Sequence, residues 1–384
     1  MRQAVGTVVV LDQNWVVFEQ LTLRLQHLGI RVVHVDLAPR SLRSLRYRLW
    51  FDEHRSCTPS NLAGELARIG PDEIVDVICS EETVALALAV AVEAGLAPSI
   101  VSELRRRTIW CDKLRWSQEL AHSDFPVPQT CSLSAYESTN SEFTPLPVVV
   151  KPRTGSGGAS VSLVTAPEEV VALRARTASP DDFVVQAAVF GDVFQYVAAY
   201  SDGEVRLDSV YVALSRSNQQ FGPGSEGVIV DEPDLVDMGR ALLHTIGGRG
   251  LANIETLRDC TGKHWIIDIN LRPWGMCCAY RGAGYDFVAA YVDCLASRGP
   301  ERPPVGIPPI GRHVALFPVA SRVRLAGESK VSALQHFLRS LPDARKDFGS
   351  RYVLWHDVGF FTHLLRSLAS RPATRGRRVL HDST

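Results

Sequence analysis

The first 36 residues contain two short apolar segments separated by a segment with helical periodicity, and this order constrains the fold more than any other feature. Residues 7–12, TVVVLD, and 30–36, IRVVHVD, are rich in β-branched side chains, whereas 16–29 has apolar residues at helical spacing and ends at a glycine. Two parallel strands need a long crossover connection, so this order predicts a βαβ unit. The chain is therefore predicted to begin with a Rossmann-like parallel sheet.

A third strand of this sheet is predicted within residues 71–82, PDEIVDVICSEE, and an apolar helix follows at 83–95. The predicted strand ends in Ser80, Glu81 and Glu82. Ligands of open α/β sheets bind beyond the carboxyl ends of the strands, so these side chains are placed to contact one. Capping of the following helix explains the same residues equally well. No G-x-G-x-x-G sequence follows the first strand, which argues against a dinucleotide site.

The bulk composition excludes several classes of protein. The 384 residues are 46% hydrophobic and 22% charged with a formal net charge of −1, which gives no sign of a nucleic-acid binder. A chain of this length is expected to hold two or three domains. The most apolar stretch, 83–97, contains Glu93 and is too short to span a membrane, and no signal peptide is recognised at the amino terminus.

The eight cysteines form no C-x-x-C pair and show no zinc-binding spacing. Scattered cysteines in a chain of this length predict reduced thiols in a cytoplasmic protein. Cys277 and Cys278 are adjacent, and two interpretations stay open for them. They are either small apolar residues beside a site or a pair with a redox or metal role.

Residues 148–161, VVVKPRTGSGGASV, predict a strand that leads into a glycine-rich loop. The strand ends at Lys151, and the glycines that follow allow the backbone to approach a phosphate closely. The sequence lacks the G-K-[ST] ending of a Walker A loop. Taken alone, the segment fits a plain hairpin with a surface lysine equally well.

The segment at 253–270, NIETLRDCTGKHWIIDIN, predicts a divalent-metal site. Two antiparallel strands joined by its central turn would bring Glu255 beside Asp268 and Asn270. Asp268 and Asn270 are two residues apart, so they share one face of their strand. Carboxylate and amide oxygens are ligands that Mg²⁺ accepts together with nucleotide phosphates.

A segment rich in serine, threonine and proline at 138–147 and a proline-rich segment at 300–310 mark edges of domains. Residues 217–227, SNQQFGPGSEG, predict either a mobile acceptor loop or an uninvolved surface loop. The basic segment after residue 370 is expected to be a frayed tail. Further strands are predicted at 148–151, 160–164, 183–187, 193–200, 204–210 and 264–272, and further helices at 168–177, 234–248, 287–299 and 330–342.

Together these motifs resemble the ATP-grasp superfamily, specifically its predicted ATP-dependent carboxylate–amine ligases. The resemblance covers roughly residues 5–300 and rests on SLRYRLWFDEH at 44–54, Asp112-Lys113, VVVKP and DINLRPW in the expected order. It implies an α/β (α+β) fold with an N-terminal Rossmann-like domain, a small lid domain and a central metal-binding domain. The implied divisions are 1–108 for the N-terminal domain, 109–192 for the lid, 193–305 for the catalytic domain and 306–384 for an appended region.

The resemblance also implies roles for individual residues. The implied metal ligands, for Mg²⁺ or Mn²⁺, are Glu255, Asp268 and Asn270. Arg272 would face the reacting carboxylate or acyl phosphate, and Arg216 would contact a phosphate. The implied ATP-binding residues are Lys113, Lys151, Ser156, Gly157, Gly158, Gln186, Ala188, Val189 and Asp192, with the segment 186–189 facing adenine.

Four further residues are candidates for contacting an amino-acid-like substrate, namely Glu81, Trp274, Tyr280 and Arg281. Core packing is the alternative for Trp274, and a solvated surface charge is the alternative for Arg281.

The chain departs from the family pattern at three positions. Val193 stands where the family often has a carboxylate for the ribose, so Asp192 substitutes for it or the ribose is held loosely. Asp268 replaces the commoner glutamate, which shortens its reach by one methylene. Leu271 stands where proline is frequent, with Pro273 offset. These departures bear on ligand geometry more than on the reaction.

The resemblance implies a cytoplasmic ligase that activates a small carboxylate as an acyl phosphate and joins it to an amine, releasing ADP and phosphate. The loop at 154–160 is expected to close over the nucleotide, because water would destroy the intermediate. Expected partners are small substrates, amino acids among them, with no nucleic acid or membrane and with a homodimer as an option. Three alternatives stay open: a bicarbonate-using carboxylase, a nucleotide sensor without turnover, and an enzyme that modifies a carrier-protein terminus.

Overall fold

A computed structural model of the chain describes residues 6–11, 16–37, 53–136, 146–156, 158, 160–216, 224–296 and 310–316, with parts of 330–341 and 361–365. Two compact units, residues 1–316 and 317–384, divide the chain. The predicted motif at 44–54, for the most part, lies outside the described residues, as do Gly157, residues 217–223 and the basic tail. The predicted divisions after residues 108, 192 and 305 stay predictions.

The N-terminal part of the first unit is a four-stranded parallel sheet, as the βαβ pattern predicts. Its order is β3-β2-β1-β4. All five residues of β1 are buried, as expected of a strand covered on both faces. The strands are β1 (Thr7–Leu11), β2 (Arg31–Asp36), β3 (His54–Ser56) and β4 (Ile74–Ile78), and the helices are α1 (Val16–His27), α2 (Leu62–Ile69), α3 (Val84–Glu93) and α4 (Pro98–Trp110).

A small antiparallel sheet follows, in the order β5-β8-β6-β7. Val148 and Val150 of β6 pack with Val185 of β8 and with Val170 of the covering helix. The strands are β5 (Thr130–Ser132), β6 (Val148–Pro152), β7 (Ser162–Val164) and β8 (Phe183–Ala187), and the helices are α5 (Lys113–Leu120) and α6 (Pro167–Arg176). The predicted strand at 183–187 has the observed bounds.

The third sheet has six strands in the order β13-β12-β9-β10-β11-β14. Its strands are β9 (Asp192–Ser201), β10 (Glu204–Arg216), β11 (Gly224–Val230), β12 (Arg249–Arg258), β13 (His264–Asn270) and β14 (His313–Ala315). Helix α7 (Pro233–Ile246) packs on the face that carries Tyr196 and Val210. Side chains alternate along a strand, so Tyr211 lies on the opposite face, where its ring contacts Tyr280 near α8 (Phe287–Leu295).

The prediction of a loop over 217–227 is wrong for its described part, because residues 224–227 begin β11, which pairs with β10. Glycine obscured the strand pattern in the sequence but is required by the packing. A Cβ at Gly227 would lie 2.5 Å from Cδ2 of Tyr211 and 2.8 Å from the carbonyl oxygen of Val212. Glycine therefore permits the close approach of β11 to β10.

Residues of the C-terminal segment take two roles. Strand β14, from the region predicted to be appended, pairs with β11 and so extends the six-stranded sheet. The described residues of the second unit are helical within 330–341, where a helix is predicted, and at 361–365. The rings of Phe337 and Phe361 contact each other there at 5.9 Å. Within the described residues, no helix combines the length and apolar character needed to cross a membrane.

Two helical glycines give a matched test of this packing. A Cβ at Gly239 of α7 would lie 2.4 Å from Cδ1 of Tyr196, whereas a Cβ at Gly64 of α2 meets nothing within 4 Å. We expect Gly64→Ala to stabilise the protein by up to about 1 kcal/mol through helix propensity. Gly239→Ala should instead destabilise it by about 1–3 kcal/mol through overpacking. Thermal unfolding of both variants checks this, and stabilisation by Gly239→Ala would contradict the packing of α7 on Tyr196.

Candidate functional site

Three strands of the six-stranded sheet place polar side chains side by side on one face. The backbone register pairs Gln195 with Glu255 and Glu255 with Asp268. Asn253 and Asn270 form the next pair on the same face. Paired residues of antiparallel strands point to one side of the sheet. The structure thus brings Glu255, Asp268 and Asn270 together.

A hydrogen-bonded chain holds Glu255 from behind. The Tyr211 hydroxyl and Nδ2 of Asn253, the latter at 2.8 Å, both donate to Oε1 of Gln195. Two donors identify this atom as the carbonyl oxygen, so Nε2 of Gln195 donates to Oε2 of Glu255 at 3.2 Å. Neither Gln195 nor Asn253 was predicted from the sequence. The N-x-E pattern at 253–255, which mirrors D-x-N at 268–270, was the available signal for Asn253.

Two buried lysines reach this face from neighbouring elements. Nζ of Lys113, the first residue of α5, donates to the carbonyl oxygen of Gly155 at 3.0 Å. Nζ of Lys151 on β6 donates to Oε1 of Gln186 at 2.9 Å and to the carbonyl oxygen of Ile267 at 2.7 Å. Burial lowers the pKa of Lys151 to about 8. This ammonium therefore loses its charge in a mildly alkaline range.

The adjacent Asp112 explains why the helix that presents Lys113 begins where it does. Oδ1 of Asp112 accepts the N–H groups of Leu114 and Arg115 at 3.1 and 3.3 Å, which is an N-cap. The Arg153 side chain donates to the same carboxylate, and the Lys113 N–H donates to the carbonyl oxygen of Arg153 at 2.9 Å. The start of α5 is thus tied to the end of β6.

Positive charge keeps the central carboxylate ionised. Nζ of Lys113 lies 3.4 Å from Oδ1 of Asp268. Burial opposes ionisation, but Lys113, Lys151 and Arg272 together lower the pKa of Asp268 below its usual value. In the described part of the chain, no three His, Cys, Asp or Glu side chains gather as a metal cluster. A metal on this face would therefore take two carboxylates, an amide and ligands from outside the protein.

The turn after β4, residues 80–82, contacts the glycine-rich loop and is called the acidic turn below. Oε1 of Glu82 accepts both the backbone N–H of Ser156 at 2.9 Å and its hydroxyl at 3.3 Å. Gly155 has a φ of +126°, which glycine adopts readily. Burial opposes ionisation of Glu82, but hydrogen bonds from Ser80 and from backbone N–H groups, that of Ser156 among them, lower its pKa. The carboxylate of Glu82 thus occupies two hydrogen-bond donors of the loop.

The neighbouring residue of the same turn contacts Arg272. Nε of Arg272 donates to Oε1 of Glu81 at 2.6 Å, and the Glu81 side chain is only 5% exposed. The other nitrogens donate to Oδ1 of Asn270 at 3.4 Å and to the carbonyl oxygen of Pro273 at 3.1 Å. Burial would lower the pKa of Arg272, but Glu81 raises it above its usual value. Arg272 is thus a fixed cation beside Asn270.

No contact described joins Trp274, Tyr280 or Arg281 directly to Glu255, Asp268 or Asn270, although the Tyr280 ring contacts Tyr211, which donates to Gln195. Trp274 and Tyr280 are buried and pack edge-to-face on Phe287, with ring centroids 5.0 Å apart in each case. The packing alternative for Trp274 therefore matches the structure. Nε of Arg281 lies 4.0 Å from Oδ2 of Asp286. A substrate contact by any of the three stays a prediction.

The segment proposed for adenine is partly engaged within the protein. The N–H groups of Ala187 and Ala188 donate to the carbonyl oxygens of Gln129 and Pro147 at 2.9 and 3.2 Å. Asp192 begins β9 at an exposed position, whereas Val193 is buried. Arg216 ends β10 opposite Gly224. Contacts of Val189, Asp192 and Arg216 with a ligand stay predictions.

Comparison with known proteins agrees with this architecture. The family described as "ATP-grasp domain" matches residues 110–276. The D-alanine–D-alanine ligase of Halorhodospira halophila is 27% identical over 203 residues, which are 47% of this chain and 65% of that ligase. The chain thus spans just under two thirds of this relative.

Solved structures share the fold at low sequence identity. The biotin carboxylase domain of Hydrogenobacter thermophilus 2-oxoglutarate carboxylase, a dimer bound to MgADP and bicarbonate, has a TM-score of 0.64 and 14% identity. That match covers 81% of this chain and 74% of the domain. The L-amino acid ligase of Bacillus licheniformis has a TM-score of 0.58 and 15% identity, covering 76% of this chain and 75% of the ligase. Residues 110–276 thus match the ATP-grasp domain family, and the solved structures share the fold of the chain.

Proposed function

We propose that the protein is an ATP-dependent ligase that activates a small carboxylate as an acyl phosphate and joins it to an amine, releasing ADP and phosphate. The observation that carries this proposal is one sheet face on which Glu255, Asp268 and Asn270 meet, with Lys113 and Lys151 beside them. The resemblance to a D-alanine–D-alanine ligase and an L-amino acid ligase supports amide formation, with amino acids as the first substrates to test.

The donor set fits a divalent magnesium or manganese ion. Glu255, Asp268 and Asn270 offer only oxygen atoms, which hard cations prefer, and too few of them to fill an octahedral shell. Gln195 holds Glu255 in one orientation, as groups behind metal ligands commonly do. A bound Mg²⁺ would neutralise phosphate oxygens and take the remaining ligands from ATP and water.

The lysines and the glycine-rich loop would bind the phosphates. Lys113 and Lys151 are buried, so their attraction for phosphate is screened little by water. The N–H and hydroxyl of Ser156 would pass from Glu82 to a phosphate oxygen, and Gly157 and Gly158 would follow as the loop closes. Closure excludes the water that would hydrolyse an acyl phosphate.

The remaining nucleotide contacts follow from the position of the 186–189 segment. Because the N–H groups of Ala187 and Ala188 are engaged, carbonyl oxygens and the backbone of Val189 would contact adenine. Gln186 would contribute to ATP binding indirectly, because it holds the ammonium group of Lys151 in place. Asp192 would contact the ribose.

Arg272 would orient the reacting carboxylate. Its guanidinium is planar and carries parallel N–H groups, which suit a carboxylate or an acyl phosphate better than a lysine does. The carboxylate would attack the γ-phosphorus of ATP, displacing ADP. The amine would then attack the acyl carbon, forming the C–N bond while the C–O bond to phosphate breaks. Arg216 would contact the transferred phosphate.

Release of ADP and phosphate tests the proposal directly. With ATP, Mg²⁺ and a pool of L-amino acids and D-alanine, we expect substrate-dependent phosphate release and an amide product detectable by mass spectrometry. Turnover that requires bicarbonate would identify a carboxylase instead. Nucleotide binding without turnover under every substrate would identify a sensor. A homodimer stays a prediction that light scattering would check.

Asp268→Asn tests the metal site. The amide keeps the size of the side chain but removes the charge beside Lys113, so turnover should fall at least about 100-fold and the Mg²⁺ requirement should rise. Circular dichroism should show an unchanged fold. Asp72→Asn, an exposed aspartate before β4, is the matched control. Normal activity of Asp268→Asn would refute the metal assignment.

Lys151→Met tests the phosphate role through its pH dependence. Lys151 has a lowered pKa of about 8, so it is charged below that pH and neutral above it. ATP affinity of the wild type should therefore fall as the pH rises through about 8. Lys151→Met should bind ATP about tenfold or more weakly at neutral pH and lack this fall. Lys263→Met, at an exposed position, should behave as wild type, and an identical pH dependence in Lys151→Met would contradict the assignment.

Glu82→Gln tests the contact with the loop. The carboxylate of Glu82 competes with phosphate for the donors of Ser156, so removal of its charge should tighten ADP binding by about two- to fivefold. Calorimetric titration measures the change, with Glu168→Gln at an exposed position of α6 as the control. Weaker ADP binding in Glu82→Gln would show that this carboxylate assists the nucleotide rather than competing with it.

A further inference from the structure

We propose that Glu81 binds the attacking amine in its ammonium form, with the oxygen that Arg272 does not use. This inference rests on the proposed ligase function and adds to it the residue that selects the nucleophile. It assigns opposite charges to the two substrates, with Arg272 for the carboxylate and Glu81 for the ammonium.

The first observation is an unpartnered buried oxygen. Oε1 of Glu81 accepts Nε of Arg272 at 2.6 Å, whereas Oε2 is buried and has no hydrogen-bond partner among the described residues. A buried carboxylate oxygen without a donor is costly, because it has lost its water. This oxygen lies beside Arg272, the cation proposed to bind the reacting carboxylate. A hydrogen-bond donor of a ligand would supply the partner that Oε2 lacks.

The second observation is the charge around this carboxylate. Burial raises the pKa of the nearby Cys111 thiol to about 12, with a further contribution from Glu81, and burial raises that of Cys79 to about 12. Both thiols are therefore neutral. An anionic ligand would be repelled by Glu81, whereas an ammonium group supplies the missing donor and the opposite charge.

The position of Glu81 places such an amine near the reacting carbon. The next residue, Glu82, contacts Ser156 of the glycine-rich loop, and Glu81 itself contacts Arg272. The acidic turn thus extends from the proposed phosphate site to the proposed carboxylate site. Glu81 therefore binds the ammonium group before the reaction, and the nitrogen can attack the acyl carbon once one of its protons has passed to a phosphate oxygen of the acyl phosphate.

Competition between two nucleophiles separates amine binding from carboxylate activation. The reaction contains ATP, Mg²⁺, the pool of L-amino acids and D-alanine, and hydroxylamine, which is uncharged at neutral pH. Hydroxylamine traps the acyl phosphate as a hydroxamate, which gives a colour with iron(III), and amide products are measured by mass spectrometry. The ratio of amide to hydroxamate reports only how well the amine competes for one shared intermediate.

We expect Glu81→Gln to lower the amide-to-hydroxamate ratio at least about 30-fold, as loss of a buried charge pair does. Hydroxamate formation should fall less than amide formation does, because Glu81 also contacts Arg272. Glu93→Gln, an exposed glutamate on the helix that follows the turn, should leave the ratio unchanged. If circular dichroism shows that Glu81→Gln does not fold, Glu81→Asp is the second variant. It keeps the negative charge but is one methylene shorter, so the carboxylate lies farther from the amine and the amide-to-hydroxamate ratio should still fall.

Two outcomes would overturn the inference alone. If amide and hydroxamate fall together at a constant ratio, Glu81 acts only by positioning Arg272. If neither product changes, Glu81 has no role in the reaction. A wild-type protein that forms no hydroxamate from any carboxylate in the pool would instead overturn the proposed function, and the inference with it.

Discussion

The register between β12 and its two neighbours is the constraint on which the site depends. It sets Gln195, Glu255 and Asp268 side by side, and a slip of one residue would turn each side chain to the other face. Two features hold this register. A Cβ at Gly191 would lie 1.8 Å from the carbonyl oxygen of Arg258, so the strands approach each other closely there. Asp259 closes the hairpin by accepting the N–H groups of Thr261 and Lys263 at 2.9 and 3.1 Å and that of the Trp265 ring at 2.7 Å.

Charges of both signs lie close together at the candidate site. Lys113 and Lys151 are buried and Arg272 is mostly buried, and three such cations without partners would be expensive to hold. Asp268 offsets Lys113, and Glu81 offsets Arg272. Burial lowers the pKa of Lys151 to about 8, although Asp268 favours its charged form. The carboxylates of the protein thus offset the cations of the candidate site, and a bound polyphosphate would have to compete with some of these pairs.

The sequence predicts the parts of this arrangement that depend on short-range pattern. The turn within 253–270 and the two-residue spacing of Asp268 and Asn270 were enough to predict that Glu255 lies beside these two residues. The strand–helix–strand order was enough to predict the parallel sheet. Contacts between distant segments were not predictable, and Ser156 and Glu82 meet across 74 residues. Gln195 was missed because its place depends on which strand lies beside β12. Glycines hid β11, and the sequence did not show that Trp274 is buried.

The acidic turn can contact both Arg272 and Ser156 only if β4 is held firmly against the six-stranded sheet. Asp76 of β4 accepts Nη2 of Arg107 at 3.1 Å and the hydroxyl of Tyr291 on α8. Nη2 of Arg249 on β12 donates to the carbonyl oxygen of Val75 at 3.1 Å. These contacts fix the strand that precedes Glu81 and Glu82 to α4, α8 and β12. Adjustment to a nucleotide should therefore fall on the glycine-rich loop, whose link to the turn is the partly exposed contact between Ser156 and Glu82.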